Sequence, residues 1–209
     1  MNLAWFGRTM HCLLALFLVL ALGGCHGGAG TDIWAAVERE DLAAIQRYAD
    51  RGGDLEAGST IRGKTPLLHA LKLEKKESYR KLLELGASPN TMCRGGAVVV
   101  HHAAARKDSY WLRLALESGG DANLFNERGY AWARTVPLPF AIHEGTLDNV
   151  KLLCEHGADV NAFADEHKRT MLRVAWEAAE FEVAYYLLEQ GADYNIPASM
   201  YCTFLYGVR

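Results

Sequence analysis

The sequence predicts an all-α solenoid of five stacked helix-pair repeats, and three observations in its 209 residues predict it. A short segment of the form Gly-x-x-x-Asn, or a near variant, recurs as GGDLE from Gly52, GASPN from Gly86, GGDAN from Gly119, GADVN from Gly157 and GADYN from Gly191, at intervals of 34, 33, 38 and 34 residues. Lying 21 residues before each of those glycines, the chain reads TDIWAA from Thr31, TPLLHA from Thr65, VVVHHA from Val98, VPLPFA from Val136 and TMLRVA from Thr170. The third residue of each opening is apolar and the sixth is always alanine. Positions 14, 17 and 18 after each opening residue carry Ile45/Tyr48/Ala49, Tyr79/Leu82/Leu83, Leu112/Ala115/Leu116, Val150/Leu153/Cys154 and Ala184/Leu187/Leu188. Their i, i+3, i+4 spacing makes one apolar stripe along a helix, and a fixed period of this length marks a repeat architecture.

Each element follows from the pattern. A threonine or a substitute caps the first helix, and Pro66 is tolerated in a first turn. Ala36, Ala70, Ala103, Ala141 and Ala175 leave room for neighbouring repeats to approach closely. The second helix carries the stripe, the glycine after it ends the helix in a left-handed conformation, and an Asx-rich turn leads onward. From each glycine to the next opening residue the chain runs 13, 12, 17 and 13 residues, so the helices are constant and the connecting fingers vary. The longest finger reads NLFNERGYAWART over residues 123–135.

Over residues 31–195 these motifs resemble the ankyrin repeat family. The resemblance implies helix-turn-helix units with β-hairpin or loop fingers, and a groove that binds protein. It places positions seven and eight of each repeat in that groove, here Glu38/Arg39, Lys72/Leu73, Ala105/Arg106, His143/Glu144 and Glu177/Ala178. The fingers add Arg62, Lys64 and Arg94, then Phe125, Arg128, Tyr130, Trp132 and Arg134 in the longest one. Aromatic residues and arginine are enriched in interface hot spots, and insertions in a solenoid gather on one face, often the binding face. The long finger either presents its aromatics to a partner or folds them back onto its repeat.

The N-terminus carries a different signal. Residues 13–22 (LLALFLVLAL) form an unbroken apolar run behind Arg8, too short to span a bilayer that requires roughly 20 helical residues, and they read as an export signal. Leu22-Gly23-Gly24-Cys25 resembles the lipobox of bacterial lipoproteins. That resemblance implies removal of residues 1–24, acylation of Cys25, a flexible tether over residues 25–30, and anchorage in the bacterial envelope facing the periplasm. The residue after the cysteine is not aspartate, which points to the outer membrane rather than the inner. The alternative is an ordinary secretory signal cut nearby. Residues 196–209 read as a tail or a truncated sixth repeat opening at Thr203.

Composition sets limits on function. Half the residues are apolar and 22% are charged, the balance of a globular chain. With 22 Lys+Arg against 25 Asp+Glu, a net charge of −3 and no basic block, the chain lacks the footprint of a nucleic-acid binder. His101 stands where ankyrin repeats usually keep a structural histidine. His69 and His102 share the next position, but two ligands fall short of a zinc site, and His143 and His156 read as solvated. Cys154 falls on the apolar stripe and reads as core. Cys93 and Cys202 lie about three repeats apart at roughly 10 Å per repeat, beyond the reach of a disulfide. No Gly-x-Ser-x-Gly, His-Glu-x-x-His or phosphate loop is present. The expectation is a binding protein without catalysis or cofactor, monomeric when free. Small ankyrin lipoproteins of Gram-negative bacteria resemble immunity proteins that neutralise lipase effectors delivered by type VI secretion. The alternative resemblance is to ankyrin scaffolds that stabilise a periplasmic enzyme such as a catalase.

Overall fold

The computed structural model describes residues 32–58, 63–93, 96, 98–126, 135–144, 146–165 and 168–194. The chain divides into two compact units, Met1–Asp32 and Ile33–Arg209, and the second carries the helices described below. The export segment, Cys25, the tether and the tail lie outside the described residues.

Ten helices among the described residues form five pairs: α1 (Ile33–Arg39) and α2 (Leu42–Asp50), α3 (Pro66–Lys72) and α4 (Lys76–Glu84), α5 (Val99–Ala104) and α6 (Tyr110–Glu117), α7 (Leu138–His143) and α8 (Leu147–Glu155), α9 (Met171–Glu177) and α10 (Phe181–Glu189). Odd helices stack on odd and even on even, each pair against the next. Thr65 and Thr170 cap α3 and α9, their hydroxyls accepting the backbone N–H of Leu68 at 3.3 Å and of Arg173 at 3.2 Å. The valine that opens α5 has no such group, and α7 starts one residue late, with Pro137 at its N-cap.

The core is built from the stripe and the recurrent alanines. Ala36, Ala70, Ala103, Ala141 and Ala175 are all buried, as are Leu67, Tyr79, Leu82, Leu112, Leu153 and Leu187. Each buried leucine contributes about 2 kcal/mol relative to exposure. The Tyr79 hydroxyl donates to the Trp111 carbonyl at 3.1 Å, and the two rings meet edge to face at 5.1 Å. The final stripe position departs from expectation: Leu83 and Leu116 are buried, Cys154 is half-buried, and Leu188 is 44% exposed. Among the described residues no helix follows α10 to cover Leu188. Cys154 is partly buried and packs against the core from its flank. Its thiol is free, and burial pushes it up to about 11.

Gly52, Gly86, Gly119, Gly157 and Gly191 end the even helices at φ between 75° and 91°. An added Cβ at any of them meets nothing within 4 Å, so the left-handed backbone, not crowding, selects glycine there. The Asx turn that follows also latches repeat to repeat. Asn90 donates to the Gly119 carbonyl at 2.9 Å while accepting the Asp121 N–H at 2.9 Å. Asn123 does the same to Gly157 and Asp159, and Asn161 to Gly191 and Asp193. At the first junction Glu56 takes this place. Its Oε1 accepts the Ser88 N–H at 2.7 Å, but a carboxylate has no N–H for the facing carbonyl, and Oε2 is buried without a hydrogen bond. A second latch joins an even helix to the odd helix of the preceding repeat: Ser78 donates to the Val37 carbonyl, and Asn149 to the carbonyls of Ala104 and Arg106 at the end of α5.

The fingers are less sheet-like than hairpins. Among the described residues their strand pairing is one isolated antiparallel bridge, Phe163 to Thr170, beside an Ala164 N–H to Arg169 carbonyl bond of 2.7 Å. The longest finger closes at its base, where the Asn126 N–H donates to the Thr135 carbonyl at 3.0 Å. Asn126 donates through its amide to the Gly96 carbonyl, and the Thr135 hydroxyl donates to the Ala164 carbonyl. His101 Nε2 donates to the same Thr135 carbonyl at 2.9 Å, the structural role its position implies.

Candidate binding surface

Positions seven and eight of each repeat fall at the C-terminal ends of the odd helices. Lys72 and His143 are the last residues of α3 and α7, Glu177 is the last of α9, and Arg106 follows the cap of α5. The stacking of odd helices brings these ends into register, so the surface follows from the repeat period itself.

Pairing changes its charge. The mixed signs read from the sequence suggest free cations and anions side by side, whereas most of the carboxylates here are already engaged. Glu38 meets His69 Nε2 at 3.1 Å, and Glu40 lies 3.9 Å from Lys75. Glu74 pairs with the Arg106 guanidinium, whose other arm donates to the Leu71 carbonyl at 2.9 Å. Glu177 accepts from Arg173 Nε at 2.6 Å and from Arg169 Nη1 at 2.9 Å; burial opposes its ionisation, but the two guanidiniums hold its carboxyl below the usual range. Arg106 is thus a bridge between repeats as well as a surface residue. His69 and His102, equivalent in sequence, also part ways: His69 packs edge to face on Trp34 and bonds Glu38, while His102 is half-buried among cations.

Burial lowers the ammonium pKa of Lys72, with Lys64 next in effect and Arg106 also contributing. Burial brings the His102 imidazole down to about 4, assisted by Lys72, His101, Arg106 and Lys64. Lys64, Lys72 and Lys107 are in no ion pair among the described residues. Lys107 was missed in the sequence because the period selects positions seven and eight, and this lysine is at nine. It helps line an open cavity of about 520 Å³ with Glu74, Lys76, Arg106, Asp108 and Trp111, in which Lys76 and Asp108 pair at 2.7 Å.

Of the other residues expected to contact a partner, Phe125 is 47% exposed in the described part of the longest finger, and His143 and Glu144 are exposed at the end of α7. Arg62, Arg94, Arg128, Tyr130, Trp132 and Arg134 lie outside the described residues. Trp176, Phe181, Tyr185 and Leu188 expose apolar surface on the last pair. Among the described residues no group of three or more His, Cys, Asp or Glu is placed to hold a metal ion, and no helix is long and apolar enough to cross a membrane.

Stacked helix pairs with a charged edge and surface fingers define a repeat protein of the binding class. Residues 100–198 match the family model described as Ankyrin repeats (3 copies), and the described helices form the all-α, ankyrin-type repeat fold which that match implies. It is similar to B-cell lymphoma 3 protein homolog of Mus musculus, 28% identical over 176 residues, covering 82% of this chain and 38% of that protein. It is also similar to Ankyrin repeat and SOCS box protein 16 of Homo sapiens, 38% identical over 96 residues, covering 46% of this chain and 20% of that protein. A third relative is Protein PhlB of Serratia liquefaciens, 33% identical over 124 residues, covering 59% of this chain and 52% of that protein. The chain therefore spans at most about half the length of these relatives.

Proposed function

We propose that this protein acts by binding another protein through the odd-helix ends and fingers, as a lipid-anchored, periplasm-facing component of a bacterial envelope. The observation that carries the reading is the surface itself: odd-helix ends held in register by packing, several cations in no ion pair among the described residues, and a finger closed at its base by Asn126 and Thr135. Such a surface suits recognition and occlusion.

The anchor narrows the partner. A binding module tethered in the envelope by Cys25 stands where an incoming toxin arrives, and the partner proposed is a secreted lipase effector whose active site or lid the protein covers. Deleting the gene should sensitise cells to the effector of neighbouring attackers, and returning the gene should restore protection. Unchanged survival, together with co-purification of an envelope enzyme such as a catalase, would replace the immunity reading with a scaffolding one.

A further inference from the structure

The protein-binding reading leaves open which part of a partner meets the odd-helix ends, and local charge separates the possibilities. Arg106 is held by Glu74 and the Leu71 carbonyl, and this contact draws the end of α5 against the end of α3, next to Lys72. Lys76 is neutralised by Asp108 at 2.7 Å. Lys64, at the start of α3, Lys72, at its end, and Lys107, on the cavity wall between the second and third repeats, are in no ion pair among the described residues. Lys64 and Arg106 both act on the Lys72 ammonium as like charges, Lys107 follows Arg106 directly in the chain, and a partner supplying negative charge relieves that repulsion.

We infer that this face of the second and third repeats docks an acidic segment of the partner protein, whose carboxylates pair with Lys64, Lys72 and Lys107. The inference rests on the protein-binding reading above. Its geometry comes from the Arg106 bridge, which ties this guanidinium to the Leu71 carbonyl beside Lys72 while Arg106 and Lys107 share the cavity wall, and the depression of the neighbouring His102 imidazole comes first from burial and then from Lys72, Arg106 and Lys64 among others. Spaced carboxylates suit the face better than a polyphosphate does. The cavity wall also carries Glu74 and Asp108, and the chain is anionic overall, so a continuous run of phosphates meets repulsion between the lysines.

The test uses the full chain in a mild non-ionic detergent and a capped peptide of alternating glutamate and alanine, with glutamine and lysine counterparts. The glutamate peptide should bind saturably and shift the amide resonances of Lys72, His102 and Lys107. The pair Lys72→Glu with Lys107→Glu should weaken it about tenfold or more, while Lys151→Glu on α8 leaves it unchanged. Lys72→Met with Lys107→Met removes the charges without adding new ones and guards against a misfolded first pair, with the melting temperature checked for both. Absence of saturation, equal binding of the glutamine peptide, or undiminished binding by the methionine pair overturns the inference. Tighter binding of an oligothymidine than of the glutamate peptide overturns it in favour of a phosphate ligand. The protection assay reports separately on the protein-binding reading: cells guarded by the methionine pair as well as by the parent would keep that reading and discard the acidic segment.

Discussion

The His102 imidazole lies half-buried on α5 with Lys72, His101, Arg106 and Lys64 around it, and its pKa of about 4 compares with an ordinary 6.5. At neutral pH it is uncharged in folded and unfolded chains alike. Between 6.5 and 4 the unfolded chain takes up the proton while the folded chain resists it, so stability falls as pH drops through that window. The full effect is about 3 kcal/mol. His101, whose pKa burial also lowers, acts in the same direction. His102→Gln should therefore lose less stability than the parent between pH 7 and pH 4.5, by about 2 kcal/mol in denaturant unfolding; parallel losses would show that His102 does not titrate as its surroundings require. The sequence identifies a histidine there but not this behaviour, because its burial arises from packing and two of the assisting cations, Lys72 and Lys64, come from the preceding repeat, 30 or more positions away.

At the scale of the elements, junctions between repeats matter more than single helices, since six- to nine-residue helices are marginal alone and gain stability from stacking. Three junctions carry an asparagine that donates and accepts across the gap; the first carries Glu56, which only accepts and buries an unsatisfied oxygen. Glu56→Asn should supply the missing donor toward the Gly86 carbonyl and remove a partly buried charge, raising stability by about 1 kcal/mol. Native-state hydrogen exchange should show α1 and α2 opening more readily than α5 to α8 in the parent, with that difference reduced in the variant. A destabilised variant would mean that the carboxylate has a partner worth more than the latch. The Gly-x-x-x-Asn periodicity was legible, and so were the helix ends. The latch was not, since spacing locates an asparagine without showing which carbonyl faces it.

For the whole molecule, the binding reading depends on where the protein sits, and that rests on the first 25 residues. Cys25→Ser should abolish palmitate labelling and release the protein from membranes in fractionation; continued labelling would remove the proposed anchor. The repeat unit at Ile33–Arg209 draws its stability from its own packing, so the same substitution should leave its melting temperature unchanged.

The sequence by itself determined the helical-repeat class, the order of helix and finger, the buried alanines and the left-handed glycines, because helical periodicity and allowed backbone angles are local properties carried within a few residues. Only the tertiary structure decided that Arg106 is tied to Glu74 and Leu71, that Glu177 is held by two arginines, that Lys107 stands on a cavity wall, that Trp176 is exposed where earlier repeats bury its counterparts, and that Leu188 is exposed where Leu83 and Leu116 are buried. Those outcomes depend on the neighbouring repeat, about 33 residues distant in the chain and adjacent in space. Burial and charge pairing are properties of the contact, and the contact exists only once the repeats have stacked.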